Sequence, residues 1–332
     1  MNIFITGNSR SGTTMMSRIL GNHREVLAFQ ELHFFDELLP HASAEYVLDN
    51  NKAIKLFATL LATQRNGYFG SKNIDPFLKE SSSVLNSETN IISAEVYKRF
   101  LSYETRKNGK IIPCEQTPQN IFAIKEILQF FPQSKIILMI RDPRAVLLSQ
   151  KHKWKRRKLS GGKIPLLESV RSKINYHPET ISRIWKSVMK TALLYKNNRN
   201  ILFVKYEDLI SDPESAIKNV CTHVGINFSP ELLNIPIIGS SNFNDTDQKY
   251  GIDASKTDQW QAGGLSNSEI HICQTVTGDQ MKLFGYEKIV VDAEIIPLTW
   301  YKISMPFRLG LALLLNLKRL KNSGDLIKRF LS

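Results

Sequence analysis

The chain has 332 residues, 42% of them hydrophobic, and a formal net charge of +13. This length and apolar content are sufficient for the core of one large domain or two smaller ones. The excess positive charge is confined to residues 151–163 and 300–332. Because the rest of the chain is neutral overall, the composition argues against a protein that coats nucleic acid along its surface, and we expect no nucleic-acid partner.

Apolar segments that suit β-strands alternate with helical stretches along the first two thirds of the chain. This alternation predicts an α/β fold in which a parallel sheet carries helices on both faces. The predicted strands are residues 3–6, 26–29, 111–114, 136–140 and 201–205.

Three predicted helix starts have a proline at the first helical position. Thr117, Asp142 and Asp212 each precede that proline, where a side-chain oxygen can cap the helix. Residues 79–90, KESSSVLNSETN, are polar and rich in serine, so they predict a mobile excursion between two helices.

The three cysteines are few, odd in number and far apart. Cys114, Cys221 and Cys273 lack the spacing of metal ligands, which is typical of buried thiols in a reducing compartment. The N-terminus enters the first predicted strand at once and leaves no room for a signal peptide. We therefore expect a cytoplasmic protein.

Residues 2–15, NIFITGNSRSGTTM, join a short apolar strand to a helix through a glycine-containing loop. Gly7 and Gly12 match the two glycines of G-x-x-x-x-G-K-[ST], but Thr13 occupies the lysine position and Arg10 is the only cation of the loop. Backbone N–H groups of residues 11–14 converge at a helix N-terminus, which favours an anion. The segment predicts a phosphate-binding loop without the lysine that grips a γ-phosphate.

The loop resembles that of the sulfotransferases, which take a sulfuryl group from 3′-phosphoadenosine 5′-phosphosulfate (PAPS). In the arginine-containing branch, which includes tyrosylprotein and many bacterial enzymes, the donor's 5′-phosphosulfate is held by a similar loop. The matching residues are Arg10, Ser11, Gly12, Thr13 and Thr14.

A second resemblance lies in residues 135–149, KIILMIRDPRAVLLS, which are similar to the family's 3′-phosphate site. The likeness covers residues 1–150 and extends to about residue 286. It implies a P-loop-type three-layer fold with a central parallel sheet flanked by helices. We expect a sulfotransferase domain over residues 1–290 and a basic amphipathic tail over residues 291–332.

The resemblance assigns the transfer chemistry to two residues. Arg10 could reach the bridging oxygen between sulfur and the 5′-phosphate and stabilise it as the bond breaks. Glu31 follows the second strand, where the carboxyl ends of parallel strands line a crevice, and matches the family's catalytic glutamate. His33, two residues on, is the alternative base. Glu31 could instead complement the dipole of the segment that follows.

The second motif implies a binding site for the donor's 3′-phosphate. Arg141 at the strand end and Ser149 two turns into the helix would face that phosphate, and Lys153 on the same helix face would add a contact. Asp142 could be read as a metal ligand, but the proline after it favours a helix cap, so we expect no metal. The product of transfer would be adenosine 3′,5′-bisphosphate.

Weaker matches lie further along the chain. Tyr206 ends a strand, as does a tyrosine that touches the donor in family members. Ser255, Lys256 and Trp260 resemble the segment that closes over the nucleotide, although Trp260 equally suits a core position. Gln116 departs from the family, since many relatives have a lysine there, near the transferred group.

The tail, residues 303–332, combines leucines at helical spacing with several cations. It is too short and too charged to span a bilayer. It predicts either a basic amphipathic helix on an anionic membrane surface or a helix packed on the domain or on a second subunit, which would make a homodimer.

These observations predict a cytoplasmic, metal-independent sulfotransferase, with peripheral membrane contact left open. It would transfer a sulfuryl group in line from PAPS to a hydroxyl, with Glu31 as the base and Arg10 as the stabiliser. The expected acceptor is a glycan or glycolipid, and peptidyl tyrosine is the alternative. The rivals are a P-loop nucleotide-dependent kinase, which the missing lysine disfavours, and a non-enzymatic basic membrane module with a vestigial nucleotide site.

Overall fold

The computed structural model describes residues 1–39, 43–86, 90–155, 165–236, 250–253 and 259–316. The strands are β1 (Ile3–Gly7), β2 (Val26–Ala28), β3 (Val47–Leu48), β4 (Ile91–Ile92), β5 (Ile112–Gln116), β6 (Lys135–Ile140) and β7 (Ile201–Lys205). The helices are α1 (Thr13–Gly21), α2 (Asn50–Asn66), α3 (Asp75–Leu85), α4 (Ser93–Lys107), α5 (Ile124–Phe130), α6 (Pro143–Lys151), α7 (Leu166–Ile174), α8 (Pro178–Leu193), α9 (Tyr206–Ser211), α10 (Pro213–Val224), α11 (Asn267–Leu283) and α12 (Ile295–Asn316).

Five strands form one parallel sheet in the order β2-β5-β1-β6-β7. All four neighbouring pairs are parallel, so the carboxyl ends of the strands meet at one edge. This confirms the α/β prediction, and each predicted strand agrees with the observed one to within two residues at either end. The strand ends place the glycine loop, Gln116, Arg141 and Tyr206 along the same edge.

The core lies on both faces of the sheet because alternate residues of a strand point to opposite sides. Phe4, Ile136 and Leu138 face a layer that contains α2, α4, α5 and α8. Ile5 and Met139 face the opposite layer, formed by α1, α9 and α10. The molecule is therefore a three-layer structure. All three cysteines are free and buried, as predicted.

Residues 79–85 of the polar segment 79–90 were wrongly predicted to belong to a mobile excursion, and residues 87–89 lie outside the described residues. Most of the segment is the second half of α3, in which Ser81 and Leu85 are buried. Arg65 holds this helix in place, since its guanidinium donates two hydrogen bonds to Glu80 at 2.8 Å and also pairs with Glu104 at 2.7 Å. The serines therefore belong to a helix fixed by packing and ion pairs.

A two-stranded antiparallel pair, β3 with β4, was not predicted.

Two of the three predicted helix caps are present. Asp142 accepts a hydrogen bond from the Arg144 N–H at 2.8 Å, and Asp212 accepts one from Ser215 at 3.1 Å. Thr117 occupies the expected position before a 3₁₀ turn, but its hydroxyl donates to the Glu115 carboxylate instead of capping the turn. The capping role predicted for Thr117 is wrong.

The C-terminal helix α12 packs against α7, α8 and α11. Arg308 donates a hydrogen bond to the Tyr176 carbonyl at 2.9 Å, and the Arg171 Nε donates to the Leu315 carbonyl at 3.1 Å. None of the helices in the described part of the chain has the length and apolarity needed to cross a bilayer. Residues 317–332, which carry most of the tail's cations, lie outside the described residues.

Candidate active site

The loop between β1 and α1 is shaped by two glycines. Gly7 has φ +139°, and a Cβ on it would lie 2.3 Å from the Met139 carbonyl oxygen. Gly12 has φ +90°, and a Cβ there would lie 2.6 Å from the Tyr206 ring. Since Gly12 provides no side-chain cap, the first N–H groups of α1 remain directed at the loop. The loop therefore has the backbone geometry of an anion cradle.

Two buried polar atoms beside this loop have no hydrogen-bond partner among the described residues. They are the Ser11 hydroxyl oxygen and the Nε of Arg141. Buried donors are normally paired, because an unmade hydrogen bond costs about 1–3 kcal/mol. One lies within the loop, and the other belongs to a guanidinium that donates from Nη1 to the Arg10 carbonyl at 3.1 Å. Both atoms fit an anionic group bound at this edge of the sheet.

The structure brings four of the predicted donor-binding residues together. The Nε of Arg10 donates to the Ser149 hydroxyl at 2.9 Å, although the two residues are 139 positions apart. The Arg141 guanidinium lies 4.0 Å above the Tyr206 ring. The loop and the second motif, which the sequence assigned to opposite ends of the donor, are thus in direct contact.

Lys153 lies elsewhere than the sequence suggested. The helix expected to carry it, α6, ends at Lys151, and Lys153 begins a 3₁₀ turn. The predicted shared helix face with Ser149 is therefore wrong. Lys153 lines a cavity together with Glu31, and its role at the 3′-phosphate stays a prediction.

Glu31 is linked to the loop through Gln116. The Gln116 amide donates to the Glu31 carboxylate at 3.3 Å and to the Thr13 hydroxyl at 3.1 Å. On its other side, the second Glu31 oxygen lies 3.5 Å from the Nε2 of His33. The residue that departs from the family therefore joins the candidate base to the candidate phosphate loop.

The electrostatics of this pair distinguish the two candidate bases. Burial opposes the charged form of His33, but hydrogen bonds to Asp36 and Glu31 prevail and raise its pKa to about 10. Burial likewise opposes ionisation of Glu31, but His33, Gln116 and the charge of Lys153 hold its pKa below the ordinary value. At neutral pH the site thus holds an imidazolium beside a carboxylate. Only Glu31 is then able to accept a proton.

Glu115 precedes Gln116 in β5 and is 1% exposed. It accepts hydrogen bonds from the Thr117 hydroxyl and the Asn120 amide. Burial is the main cause that raises its pKa to about 8. Glu115 is not among the residues that line the neighbouring cavity, so its contacts are those of a group that holds the turn after β5.

A cavity of about 700 Å³ opens beside the loop. Ser9, Thr14 and Glu31 are among the residues that line it. The lining also includes Arg171 of α7 and Tyr176, which follows that helix. The Glu31 side chain remains 43% exposed within this space, so it is accessible to a bound hydroxyl.

A sequence model of the sulfotransferase family matches residues 2–230, well over half of the chain. The chain belongs to the sulfotransferase family. A protein of Caenorhabditis briggsae named "Putative protein-tyrosine sulfotransferase" is 25% identical over 252 residues, which cover 75% of this chain and 74% of that protein. The sulfotransferase domain of the curacin biosynthetic pathway shares the fold, with a TM-score of 0.52 at 17% identity, and covers 86% of this chain and 98% of that domain.

A bacterial relative matches a shorter part of this sulfotransferase. The omega-hydroxy-beta-dihydromenaquinone-9 sulfotransferase Stf3 of Mycobacterium tuberculosis is 29% identical over 139 residues. The match covers 40% of this chain and 34% of the relative's own length. The predicted family is confirmed by these comparisons, and the predicted sulfotransferase activity with it.

Three further donor residues were predicted in the later part of this sulfotransferase. Ser255 and Lys256 lie outside the described residues. Trp260 is 3% exposed, and the Arg144 guanidinium lies 4.0 Å above its ring. Arg144 is in turn paired with Asp142 at 2.6 Å, which makes this a packed structural cluster. Contact between Trp260 and the nucleotide stays a prediction.

A cluster of metal-type ligands lies next to Glu31 in this sulfotransferase. Ligand atoms of His33, Asp36 and Glu37 lie within 4.8 Å of one another. They already bond to protein groups: His33 contacts Asp36 at 3.0 Å, and the Tyr68 hydroxyl donates to Glu37 at 2.8 Å. The cluster is accounted for by these bonds, and catalysis without metal stays an expectation.

Proposed function

We propose that this sulfotransferase transfers the sulfuryl group of PAPS to a hydroxyl of a glycan or glycolipid, with Glu31 as the general base. The observation that carries the proposal is the position of Glu31, which is hydrogen-bonded through Gln116 to the loop and exposed in the cavity. A base that removes the acceptor's proton must lie within reach of both the acceptor and the transferred group.

The donor half of the proposal rests on the loop and the residues around it. The N–H groups at the start of α1, the Ser11 hydroxyl and the Arg141 guanidinium supply donors for phosphate oxygens. PAPS, when bound, supplies the sulfuryl group and a phosphate leaving group. Arg10 is the cation of the loop, and it would stabilise negative charge on the leaving oxygen.

The contact between Arg10 and Ser149 has a consequence for this assignment. Ser149 accepts a hydrogen bond from the Arg10 Nε, so the hydroxyl holds the guanidinium at a fixed position before any donor binds. A guanidinium has five N–H donors, so it is able to bind this hydroxyl and an anion at the same time. Ser149 therefore acts both as a ligand for phosphate and as a positioning residue for Arg10.

The acceptor half of the proposal rests on the lining of the cavity. The aromatic rings of Tyr68, Phe69 and Trp154 lie on its wall, together with the charged groups of Arg18 and Arg171. Aromatic faces combined with polar side chains suit a sugar ring that has both apolar and hydroxyl-bearing surfaces. The relatives carry names that point to protein tyrosine and to a hydroxylated menaquinone, so peptidyl tyrosine is kept as the alternative acceptor.

The replacement Glu31→Gln tests the base. It keeps the size and hydrogen bonding of the side chain but removes proton acceptance, so turnover of labelled PAPS should fall by roughly 10²- to 10⁴-fold while affinity for adenosine 3′,5′-bisphosphate persists. Glu214→Gln is the matched control, since it makes the same change in an exposed ion pair outside the cavity lining and should retain turnover.

Two results would oppose the proposal. Parental turnover in Glu31→Gln would remove Glu31 as the base. Binding of ATP with magnesium, without binding of adenosine 3′,5′-bisphosphate, would instead favour the nucleotide-dependent kinase. Calorimetric titration with both nucleotides separates these cases before an acceptor is known.

A further inference from the structure

The helix α12 has two unlike faces. One face is half-buried on the domain and includes Leu298, Tyr301, Met305 and Leu309. The opposite face is exposed and apolar over five turns. Its members recur at steps of three and four residues and are Ile296, Trp300, Ile303, Phe307, Leu311 and Leu314. Trp300 and Phe307 are 64% and 76% exposed, whereas side chains of this size are usually covered.

Hydrogen bonds join α12 to residues that line the cavity. Arg171 and Tyr176 both line the cavity, and each is hydrogen-bonded to α12: Arg171 donates to the Leu315 carbonyl, and the Tyr176 carbonyl accepts from Arg308. His177 adds a third bond, to the Tyr301 carbonyl at 3.1 Å. The exposed apolar face is therefore separated from the acceptor cavity by one layer of structure.

The helix α7, which packs against α12, also has exposed apolar side chains. Leu166, Leu167 and Val170 of α7 are 62%, 56% and 44% exposed. The same helix provides Glu168 and Arg171 to the cavity wall. Thus α7 has one side directed at the cavity and another that presents apolar side chains to solvent.

The charge of this region indicates what covers the face. Lys302 and Arg308 are exposed on α12, and no acidic residue occurs between Glu294 and Asp325. The sequence after α12 adds five more cations. A second copy of the chain docked on this face would bring like charges together, which costs free energy. An anionic membrane surface offers both an apolar layer and opposite charge.

We propose that the exposed apolar face of α12 lies in the interface of an anionic membrane, so that the acceptor cavity borders the lipid surface. Trp300 and Phe307 would sit at the boundary of headgroups and acyl chains, where aromatic rings are favoured. The docking does not depend on sulfuryl transfer. Its consequence, that the cavity receives hydroxyl groups of membrane amphiphiles, rests on the proposed function.

The double substitution Trp300→Ser with Phe307→Ser in the full chain tests the docking. Sedimentation with vesicles of phosphatidylcholine and phosphatidylglycerol should fall at least about tenfold, because each large apolar side chain that leaves the lipid costs about 1.5–3 kcal/mol of transfer free energy and a tenfold change corresponds to about 1.4 kcal/mol. The matched control is Val47→Ser with Ile111→Ser, which removes two exposed apolar side chains elsewhere and should leave sedimentation unchanged.

Three outcomes overturn the docking proposal. One is a parental protein that sediments equally with phosphatidylcholine alone. The second is a double variant that binds anionic vesicles as well as the parent does. The third is a parental dimer that becomes monomeric in the double variant, which would make the face a subunit interface. Calorimetry with adenosine 3′,5′-bisphosphate is measured on every variant, so loss of the donor site is recognised separately from loss of docking.

Discussion

Replacing Arg141 by alanine should reduce the affinity for adenosine 3′,5′-bisphosphate more than that for adenosine 5′-phosphate. The Arg141 side chain contacts the loop within the protein, and we predict a second kind of contact, with the 3′-phosphate of the nucleotide. Its Nη1 donates to the Arg10 carbonyl at 3.1 Å and its plane lies 4.0 Å above the Tyr206 ring, and both contacts support the loop that either nucleotide needs. Its buried Nε has no partner among the described residues, and we predict that it donates to the 3′-phosphate.

The two kinds of contact predict two separable losses. Removal of the loop-supporting hydrogen bond, which comes from a charged donor, should weaken both nucleotides by about 1.5–3 kcal/mol. Loss of the charge-assisted bond to the 3′-phosphate should weaken only the bisphosphate, by a further amount of about 1.5–3 kcal/mol. The ratio of the two dissociation constants should therefore change by about 10- to 150-fold.

Calorimetric titration of the parent and of Arg141→Ala with both nucleotides measures this ratio. Arg183→Ala is the control, because its guanidinium forms an exposed ion pair with Glu179 in the first two turns of α8 and should leave both affinities unchanged. If Arg141→Ala weakened both nucleotides equally, Arg141 would support the loop only, and the 3′-phosphate assignment would be refuted.

Two further predictions concern the loop and the imidazolium. Gly12→Ala should abolish binding of adenosine 3′,5′-bisphosphate in calorimetry, because its Cβ would lie 2.6 Å from Tyr206, whereas Gly109→Ala, also at positive φ but with open space around it, should lose only about 1–2 kcal/mol of stability and keep binding. The raised pKa of His33 means that the folded protein holds this proton more tightly than the unfolded chain does. The proton therefore adds to the free energy of unfolding, and this contribution is complete below pH 6.5 and lost as the pH rises to about 10. The parent should therefore exceed His33→Asn in free energy of unfolding by urea at low pH, and an advantage that stayed constant across this window would contradict the raised pKa.

The sheet was predictable because its strands are continuous apolar runs bounded by turn residues. The strand 201–205, for example, was predicted with its observed bounds. The helix α3 was not predictable in this way, since its serines suit a loop and its stability comes from partners distant in sequence. Glu80 of α3 is held by Arg65 of α2, which also pairs with Glu104 of α4. A pattern within one segment contains no information on such pairs.

The sequence predicted which residues belong to the candidate site and that they follow the ends of strands. It did not predict which of these residues contact one another. Both motifs indicated phosphate ligands, and the sheet order then placed them along one edge. That Arg10 would contact Ser149 directly depends on the positive φ of 76° at Arg10 and on where α6 ends, neither of which has a sequence signal. For the same reason Lys153 was expected on the face of a helix that stops two residues before it.

The charges around Glu31 provide a physical reason for Gln116 at the position where the resemblance predicts a lysine. His33, held as an imidazolium by Asp36, already places one positive charge 3.5 Å from the Glu31 carboxylate. A lysine at position 116 would place a second one there, and two unit charges 4 Å apart interact by about 4 kcal/mol at an effective dielectric constant of 20. Such an added cation would stabilise the carboxylate further and weaken it as a base. The neutral Gln116 amide keeps the link between Glu31 and Thr13 without this cost. In the proposed reaction, the positive charge beside the transferred group would come from His33 and Arg10.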